Sequence, residues 1–261
     1  MHLSSLYTYP AKSMRGISHS RALATRQGLV HDREGLLTRP DGSFITAREF
    51  PALLSVTTTP IPGALLLAAA GRAPCVAISS VYTRRVETTV WKDHFHAWHG
   101  DEGVDAWFGD ILGIECRLLW LGQRSERPQK SGTDALSFAD GYPYLLTCET
   151  SLDALNRELA APAIDMRAMR PNLVVSGGQA YQEDDWHLVR IGDVLFDVAA
   201  PCTRCVLTTI DPDSGVRRGD GEPLRALART RKRDNGVCFG VNLVARNEGV
   251  IECGSEIEIL E

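Results

Sequence analysis

The sequence predicts a mainly β protein with some α structure, divided into a β-rich N-terminal domain over residues 1–100 and a second domain over residues 101–261. Short runs of β-branched and aliphatic residues recur along the chain, and glycine, proline and aspartate punctuate them as turn residues do. Apolar residues at helical spacing occur in three segments. A chain of 261 residues is long enough for two modest domains or one large domain, and either can bury a sizeable core.

The first half of the chain is predicted to consist of strands. Residues 3–9 alternate in polarity as a strand does, and the proline that follows ends it because proline lacks the N–H that a sheet ladder needs. Asp41 and Gly42 are typical of a hairpin turn between two apolar pairs. Two more strands are predicted in this half: residues 76–78 and residues 86–90.

The loop after the first predicted strand offers an ammonium group from Lys12, a hydroxyl group from Ser13 and free backbone N–H groups. This combination suits a bound phosphate, because all three kinds of group interact favourably with phosphate oxygens. A solvated lysine in a turn is the alternative, and the residues alone leave both interpretations open.

From residue 101 onward, the predicted elements include helices as well as strands. Residues 101–112 carry apolar side chains at helical spacing, and Gly113 is suited to the C-cap. Ser151 is predicted to cap a second helix, and Glu222 and Pro223 are predicted to begin a third. The strands predicted here are residues 117–121, 173–176, 239–245 and 257–260, together with a hairpin over residues 186–198.

Two basic segments have more than one interpretation. Residues 122–133 form a polar loop with three cations, which is either solvated surface, the preferred interpretation, or a mobile lid near a site. The third helix is predicted to end in Arg229, Arg231, Lys232 and Arg233, where the helix dipole favours cations. This run most simply faces water, and the alternative is that it steers an acidic partner protein.

The composition indicates an ordinary soluble globular protein, with 44% hydrophobic and 23% charged residues. The net charge of −5 argues against general nucleic-acid binding, which needs a basic surface. No apolar run approaches the roughly 20 residues that a membrane helix needs. Seven cysteines without a secretory signal favour a reducing compartment, so we expect a cytoplasmic protein.

Three histidines lie close together in the sequence, and they invite comparison with a zinc site. His94 and His96 are placed to point to one face of a strand, and His99 in the next turn adds a third possible ligand. No defined fourth ligand follows from the sequence. A solvated junction between a strand and a helix is therefore the preferred interpretation.

The segment with the most suggestive chemistry covers residues 201–215. Cys202 and Cys205 flank Arg204, and a thiolate near a cation is both a ligand for soft metals and a nucleophile. The same spacing also occurs in half of a zinc site, in a thioredoxin-like pair, or in two buried strand cysteines. In an extended segment their odd offset points the two thiols to opposite faces, so only one would face a metal. Residues 206–210, which follow, have β propensity.

Residues 201–205 read Pro-Cys-Thr-Arg-Cys, and residues 208–215 read Thr-Thr-Ile-Asp-Pro-Asp-Ser-Gly. Five further motifs occur in order along nearly the whole chain, at residues 9–13, 32–33, 138–144, 170–177 and 191–193. Together they resemble the MOSC-domain molybdenum enzymes, in the branch of the bacterial YcbX-like proteins and the mitochondrial amidoxime reducing component. Several separate motifs in the same order make a chance match improbable.

The resemblance implies an N-terminal MOSC-associated β-rich domain, a MOSC β-barrel domain after it, and a molybdenum cofactor held by both. Cys205 matches the catalytic position that ligates the metal. The residues that match cofactor-binding positions are Lys12, Ser13, Arg33, Tyr142, Arg170, Asn172, Thr203 and Arg204. Cations among them would offset an anionic cofactor through strong charge-assisted contacts. Because Arg170 precedes a proline, it is predicted to be extended.

The activity that the resemblance implies is reduction of N-hydroxylated or N-oxide compounds, such as hydroxylaminopurines and amidoximes, by transfer of oxygen to molybdenum, with a role in detoxification. The sequence contains neither a glycine-rich nucleotide motif nor a four-cysteine iron–sulfur pattern. A separate flavin or iron–sulfur protein is therefore expected as the electron donor. The ferredoxin-like extension that longer relatives carry is not expected in this protein.

Two alternatives to a reductase follow from the same segment. In one, the protein carries molybdenum cofactor, or sulfur as a persulfide on Cys205, without reducing any substrate. In the other, Cys202 and Cys205 serve a thiol or zinc protein. Metal and pterin content distinguishes the zinc protein from the other two, and turnover distinguishes an enzyme from a carrier.

Overall fold

The protein is described by a computed structural model that covers residues 1–129, 134–159, 162–234 and 236–261. Strands account for 40% of the chain and helices for 19%, which confirms the predicted fold class, mainly β with some α. The α-helices in these residues are α1 (Glu102–Leu112), α2 (Glu149–Arg157) and α3 (Leu224–Thr230).

The described residues form strands throughout both halves of the chain. The strands of the first half are β1 (His2–Thr8), β2 (Ile17–His19), β3 (Arg21–Thr25), β4 (Gly28–Leu29), β5 (Gly35–Thr38), β6 (Thr57–Ile61), β7 (Ala64–Ala68), β8 (Cys75–Ile78), β9 (Arg84–Val90), β10 (Asp93–His99) and β11 (Arg117–Trp120). Those of the second half are β12 (Tyr144–Cys148), β13 (Leu173–Ser176), β14 (Leu188–Ile191), β15 (Val194–Thr203), β16 (Lys232–Arg233), β17 (Gly236–Ala245), β18 (Gly249–Glu252) and β19 (Ile257–Ile259).

The largest sheet joins the two halves of the chain. Its order is β19-β14-β15-β17-β12-β13-β1-β2, with β16 paired to β17 as well. Neighbouring strands are antiparallel except for β12 and β13, which are parallel. Strand pairing therefore crosses the domain boundary near residue 100, because β1 and β2 extend a sheet of C-terminal strands. That boundary stays a prediction.

Three smaller sheets complete the structure in the described residues. The first has the order β5-β11-β10-β9, the second β6-β7-β8 and the third β18-β3-β4. The predicted turn at residues 41–42 follows β5, and Phe44 forms a single bridge back to Thr38. Gly42 has a φ of 84° and its Cα packs so closely that a Cβ would lie 2.6 Å from the carbonyl oxygen of Glu87. Glycine is needed there on both counts.

Helix α1 forms as the sequence predicts, and its buried face packs on the first two of the smaller sheets. The Asp101 carboxylate accepts hydrogen bonds from the N–H groups of Gly103 and Val104 at 3.0 and 3.2 Å, which satisfies donors that a helix start leaves free. Gly113 ends the helix in the left-handed conformation with a φ of 69°. Phe108 is fully buried in the cluster beneath the helix.

The predicted cap of the second helix is wrong. Cys148 precedes α2, and Ser151 lies inside its first turn. The hydroxyl group of Ser151 donates to Glu183 at 2.9 Å and accepts from the N–H of Tyr181 at 2.7 Å. A tertiary contact to another segment therefore uses the hydroxyl that the sequence suggested as a local cap.

Candidate functional site

One cavity of about 570 Å³ is lined by every residue that the sequence assigned to the site. These residues are Lys12, Ser13, Arg33, Tyr142, Arg170, Asn172, Thr203, Arg204 and Cys205. They follow β1, precede β5, β12 and β13, and end β15, so distant parts of the chain meet there. Their proximity is a structural finding, and the role of each as a ligand stays a prediction.

The thiol side of the cavity lies where β15 ends at Thr203. The pairing of β15 with β17 shifts register between Pro201 and Thr203. Cys205 then precedes a 3₁₀ turn over Val206–Thr209, where the sequence suggested a β run. The hydroxyl groups of Thr208 and Thr209 donate to carbonyl groups three residues earlier, at 2.9 and 2.7 Å, which favours the turn over a strand.

Cys202 and Cys205 both line the cavity, and the prediction that only one of their thiols would face a metal stays a prediction. The prediction assumed an extended segment, whereas the chain leaves the strand between them. The Sγ atom of Cys202 accepts a hydrogen bond from Nη1 of Arg204 at 2.9 Å. Nη2 of Arg204 donates to the carbonyl oxygen of Met169 at 2.6 Å. In the described residues no hydrogen bond reaches the sulfur of Cys205, which is half-buried.

Two guanidinium groups pack against one buried tyrosine on the basic side of the cavity. The Cζ atoms of Arg33 and Arg170 lie 4.3 and 4.1 Å from the ring centroid of Tyr9. Burial raises the pKa of Tyr9 to about 12, although both cations oppose this. Burial lowers the pKa of Arg170 to about 10, so it is still charged at neutral pH. Arg33 is paired with the buried carboxylate of Asp32, so its charge is largely compensated, and Arg170 supplies most of the positive charge in this poorly solvated place.

The proline after Arg170 led us to predict an extended backbone at Arg170, and this prediction is wrong. Arg170 is left-handed, with φ 55° and ψ 47°. Its N–H donates to the carbonyl of Arg167 at 3.0 Å, which closes a 3₁₀ turn over Met166–Met169. Its Nη1 atom donates to the carbonyl oxygen of Met14 at 2.9 Å. These contacts, together with stacking on Tyr9, outweigh the preference of a residue before proline for an extended backbone.

Lys12 is buried, with 6% of its surface exposed, so it is not the solvated lysine of the alternative interpretation. Its Nζ atom donates to the carbonyl of Phe138 at 2.8 Å and to Oδ1 of Asp140 at 2.6 Å. Burial lowers the pKa of Lys12, and the Asp140 carboxylate opposes that effect. The Asp140 side chain is 60% exposed, and the cavity wall desolvates its carboxylate only in part. That desolvation disfavours its charge, but the Lys12 ammonium holds the pKa of the carboxyl below its ordinary range.

Among the remaining predicted residues, Asn172 already makes hydrogen bonds within the protein. The amide of Asn172 accepts from Nη1 of Arg33 at 3.0 Å and from the N–H of Leu145 at 3.2 Å, and it donates to the carbonyl of Tyr7 at 3.1 Å. Asn172 therefore ties β1 to the start of β12. Tyr142 is half-buried and Thr203 is exposed.

Arg48 and Trp91 are among the cavity-wall residues that sequence reasoning missed. The Cζ atom of Arg48 lies 4.3 Å from the ring centroid of Trp91, and Nε1 of Trp91 donates to Oδ1 of Asp140 at 3.0 Å. Neither residue lies in one of the motifs on which the resemblance rests. The sequence signal that was available is weak: a large aromatic residue directly before a Lys-Asp pair at a strand end.

The polar loop over residues 122–133 is not simply solvated surface. Arg127 is completely buried, and its Nε donates to Asp93 at 2.8 Å. Its two terminal nitrogens donate to the carbonyl oxygens of Ser137, Ala139 and Asp140. Arg127 thus holds the backbone that carries Asp140 beside Lys12. Lys130, also in this loop, lies outside the described residues, as do residues 131–133.

The histidine cluster is a solvated junction only in part, because His94 is exposed and His96 is partly exposed. His99 is 1% exposed, and its Nε2 atom lies 2.6 Å from Oδ2 of Asp105, while its Nδ1 atom contacts the Arg84 guanidinium. With Arg84 donating to Nδ1, the ring proton lies on Nε2 and is donated to Asp105. His94 is exposed, and within the described residues no group of three or more His, Cys, Asp or Glu is placed to hold a metal ion.

The basic run after α3 faces water only in part. The helix ends at Thr230, and Lys232 and Arg233 form β16. The side chain of Arg231 is 13% exposed and paired with Asp184, which also receives a hydrogen bond from Arg233 at 2.9 Å. Among the residues that the structure describes, no helix is both long enough and apolar enough to cross a membrane.

The cavity suits an anionic group bound beside a thiol. Its lining includes five cationic side chains but a single carboxylate, that of Asp140. The five are Lys12, Arg33, Arg48, Arg170 and Arg204. The buried Nε atoms of Arg48 and Arg204 have no hydrogen-bond partner within the described residues. Unpaired buried donors are costly, so a ligand that accepts hydrogen bonds would be stabilised there.

Comparison with known proteins agrees with the motifs. The family model of the MOSC N-terminal beta barrel domain matches residues 1–115, and that of the MOSC domain matches residues 133–258. Mitochondrial amidoxime-reducing component 1 of Mus musculus is 32% identical over 291 residues, covering 99% of this chain and 82% of that protein. Mitochondrial amidoxime reducing component 2 of Rattus norvegicus is 34% identical, covering 90% and 74%.

A second group of relatives is much longer than this chain. Molybdenum cofactor sulfurase of Oryza sativa subsp. japonica is 30% identical over 267 residues, which is 93% of this chain and 32% of that protein. The chain thus spans about a third of the sulfurase and most of the amidoxime-reducing components.

The β-rich fold and the basic cavity bordered by thiols define a protein suited to hold an anionic group next to cysteine. The chain belongs to the MOSC-domain family that includes the mitochondrial amidoxime-reducing components, as the motifs predict.

Proposed function

We propose that this protein is a molybdenum-cofactor-dependent oxidoreductase that reduces N-hydroxylated or N-oxide compounds, such as hydroxylaminopurines and amidoximes. The observation that carries the proposal is the cavity itself, which Cys205 lines together with five cationic side chains. Within the described residues the Cys205 thiol has no hydrogen-bond partner. The names of the relatives, amidoxime-reducing component and molybdenum cofactor sulfurase, support the choice of cofactor and substrate class.

The basic residues would hold the phosphate and pterin of the cofactor. Arg170 presents charge from a poorly solvated position, and Arg33 can contribute a further donor beside its pair with Asp32. Within the described residues the Nε atom of Arg204 has no hydrogen-bond partner. Lys12 is already paired with Asp140, so it would contact a phosphate while keeping that pair. Charge-assisted hydrogen bonds of this kind are the strong class in proteins.

Cys205 would supply the protein thiolate to the metal. Its sulfur is free, whereas Arg204 donates to the sulfur of Cys202. When bound, the molybdenum centre would supply two-electron oxygen-atom chemistry. Reduction of an amidoxime to an amidine consumes two electrons and two protons and releases water. The electrons would come from a separate flavin or iron–sulfur protein, in a cytoplasmic detoxification role.

The alternative function is that of a molybdenum cofactor or sulfur carrier without reductase activity. The similarity to molybdenum cofactor sulfurase favours this alternative, because that name concerns the cofactor and not an N-hydroxylated substrate. This chain aligns with about a third of that longer protein. A carrier would hold the cofactor in the same cavity and release it to another protein, or hold a persulfide on Cys205.

The decisive experiment combines metal analysis with turnover. Purified protein is expected to contain molybdenum and pterin in equal amounts, and to reduce an amidoxime with a dithionite-reduced dye. It is not expected to oxidise NADH or NADPH alone. Bound cofactor without turnover would identify a carrier, and zinc without pterin would refute both functions.

A further inference from the structure

Trp91 stands at the rim of the cavity in an unusual conformation. It follows β9 with a φ of 58°, and 47% of its surface is exposed. A bulky residue is uncommon in the left-handed region, and it stays there only where surrounding contacts over-determine it. An exposed indole in a strained backbone therefore needs contacts that hold it.

Three contacts hold the Trp91 ring in place. The guanidinium of Arg48 stacks with its Cζ atom 4.3 Å from the ring centroid. The ring of Phe44 meets it edge-on, at 5.2 Å between centroids and 70° between planes. The indole N–H donates to Oδ1 of Asp140 at 3.0 Å, and Lys12 holds that carboxylate in turn. The indole is thus a rigid, pre-formed surface with nearly half of its area free.

This wall adjoins the loop of the predicted catalytic thiol. The carbonyl oxygen of Arg48 accepts a hydrogen bond from Nη2 of Arg217 at 3.0 Å. Arg217 forms a bridge with Ile210, the residue that ends the 3₁₀ turn beginning after Cys205. Arg48, Trp91 and Cys205 line one cavity.

We propose that the wall formed by Arg48 and Trp91 is the subsite that selects flat, π-conjugated substrates, such as aromatic amidoximes or N-hydroxylated bases. This inference rests on the proposed reductase function and names the substrate class within it. Stacking on an aromatic ring contributes beyond the area it buries, and it requires a planar partner but no particular polar group. The cation of Arg48 polarises the stack further.

Aliphatic N-hydroxylated compounds carry the same reacting group but have no flat ring to stack on Trp91. Two neutral probes that share the reacting group and differ in the ring therefore measure the contribution of the subsite to binding affinity. Benzamidoxime has the flat ring, and acetamidoxime has a methyl group in its place. Without an electron donor neither is turned over, so their dissociation constants can be measured by calorimetry on the cofactor-loaded protein.

The test compares wild type with Trp91→Ala, Trp91→Leu and Trp91→Phe. Trp107→Phe is the matched control, because that indole donates to the carbonyl of Ala73 and does not line the cavity. We expect Trp91→Ala to raise the Kd of benzamidoxime about tenfold and that of acetamidoxime less than about twofold. Molybdenum content should match wild type. Trp91→Phe should recover most of the affinity for benzamidoxime.

Equal benzamidoxime affinity in wild type and Trp91→Ala, or equal weakening for both probes, would overturn the subsite. If Trp91→Ala loses the cofactor, the comparison of Trp91→Phe with Trp91→Leu decides instead, and equal benzamidoxime affinity in these two also overturns it. A different result would refute the proposed reductase function while leaving the subsite intact. In that case wild type would bind benzamidoxime in a Trp91-dependent way but would not reduce it with a reduced dye.

Discussion

The Nζ atom of Lys12 lies 2.6 Å from Oδ1 of Asp140, and this ion pair joins the loop after β1 to the segment before β12. Lys12 is buried, whereas the Asp140 side chain is 60% exposed. An ammonium buried without its carboxylate is costly, because a charge in a poorly solvated place needs a partner. The pair therefore sets the position of Lys12 on the cavity wall.

Asp140→Asn should lower the melting temperature at pH 7 by about 2–4 °C, since solvent screens the exposed carboxylate and the neutral amide can still accept from Trp91. Thermal unfolding at several pH values tests this. The folded-state pKa of Asp140 is lowered, so its contribution is present above the ordinary pKa of about 4 and is lost as pH falls towards the folded value.

The difference in melting temperature between wild type and Asp140→Asn should therefore shrink below about pH 4. Asp110→Asn is the control, because its carboxylate is 74% exposed and pairs with Arg72 at 3.5 Å. Two results would contradict a stabilising ion pair at the cavity. One is a difference in melting temperature that grows at low pH, and the other is an equal loss of melting temperature in Asp110→Asn.

Arg170→Ala should lower cofactor occupancy more than it lowers thermal stability. A hydrogen bond to a charged group contributes roughly 1.5–3 kcal/mol, so occupancy after dialysis should fall by about tenfold or more under limiting cofactor. Some stability is lost as well, because Arg170 stacks on Tyr9 and donates to Met14. Molybdenum per protein is the measurement, and Arg190→Ala, which removes a surface pair with Glu258, is the control. Unchanged molybdenum content refutes the role.

The basic run after α3 is predicted to steer an acidic electron donor, through the members that face water. The double variant Arg229→Glu with Lys232→Glu leaves the largely buried pair of Arg231 and Asp184 intact. Turnover with a donor protein should slow, most of all at low salt, while turnover with a small dye stays the same. An equal decrease with the dye means that the run serves the fold or the cofactor.

Much of the fold could be predicted because its signals are local. Helix α1 follows from apolar spacing and a terminal glycine, both within residues 101–113. The candidate site was found through motifs, and the β-rich topology explains how those motifs meet. Lys12 and Arg170 are 158 positions apart in sequence, yet β1 pairs with β13 and brings their loops together.

The rest of the site depends on tertiary contacts that carry no local signal. Arg170 is left-handed because Tyr9 and Met14 hold it, against the preference that its proline neighbour sets. Arg127 looks like one cation in a polar loop, but four groups from other segments bury it. The exposure of Trp91 at the rim follows only from the assembled cavity.

X-ray absorption at the molybdenum edge tests the central claim most directly, by counting sulfur ligands in wild type, Cys205→Ser and Cys202→Ser. Cys205→Ser should fold, lose one sulfur from the molybdenum shell and lose reduction of N-hydroxylated substrates, because the thiolate ligand is gone. Cys202→Ser should keep every sulfur, since Arg204 holds that thiol. Loss of a sulfur in Cys202→Ser with all of them kept in Cys205→Ser, or no molybdenum in wild type, would contradict the account.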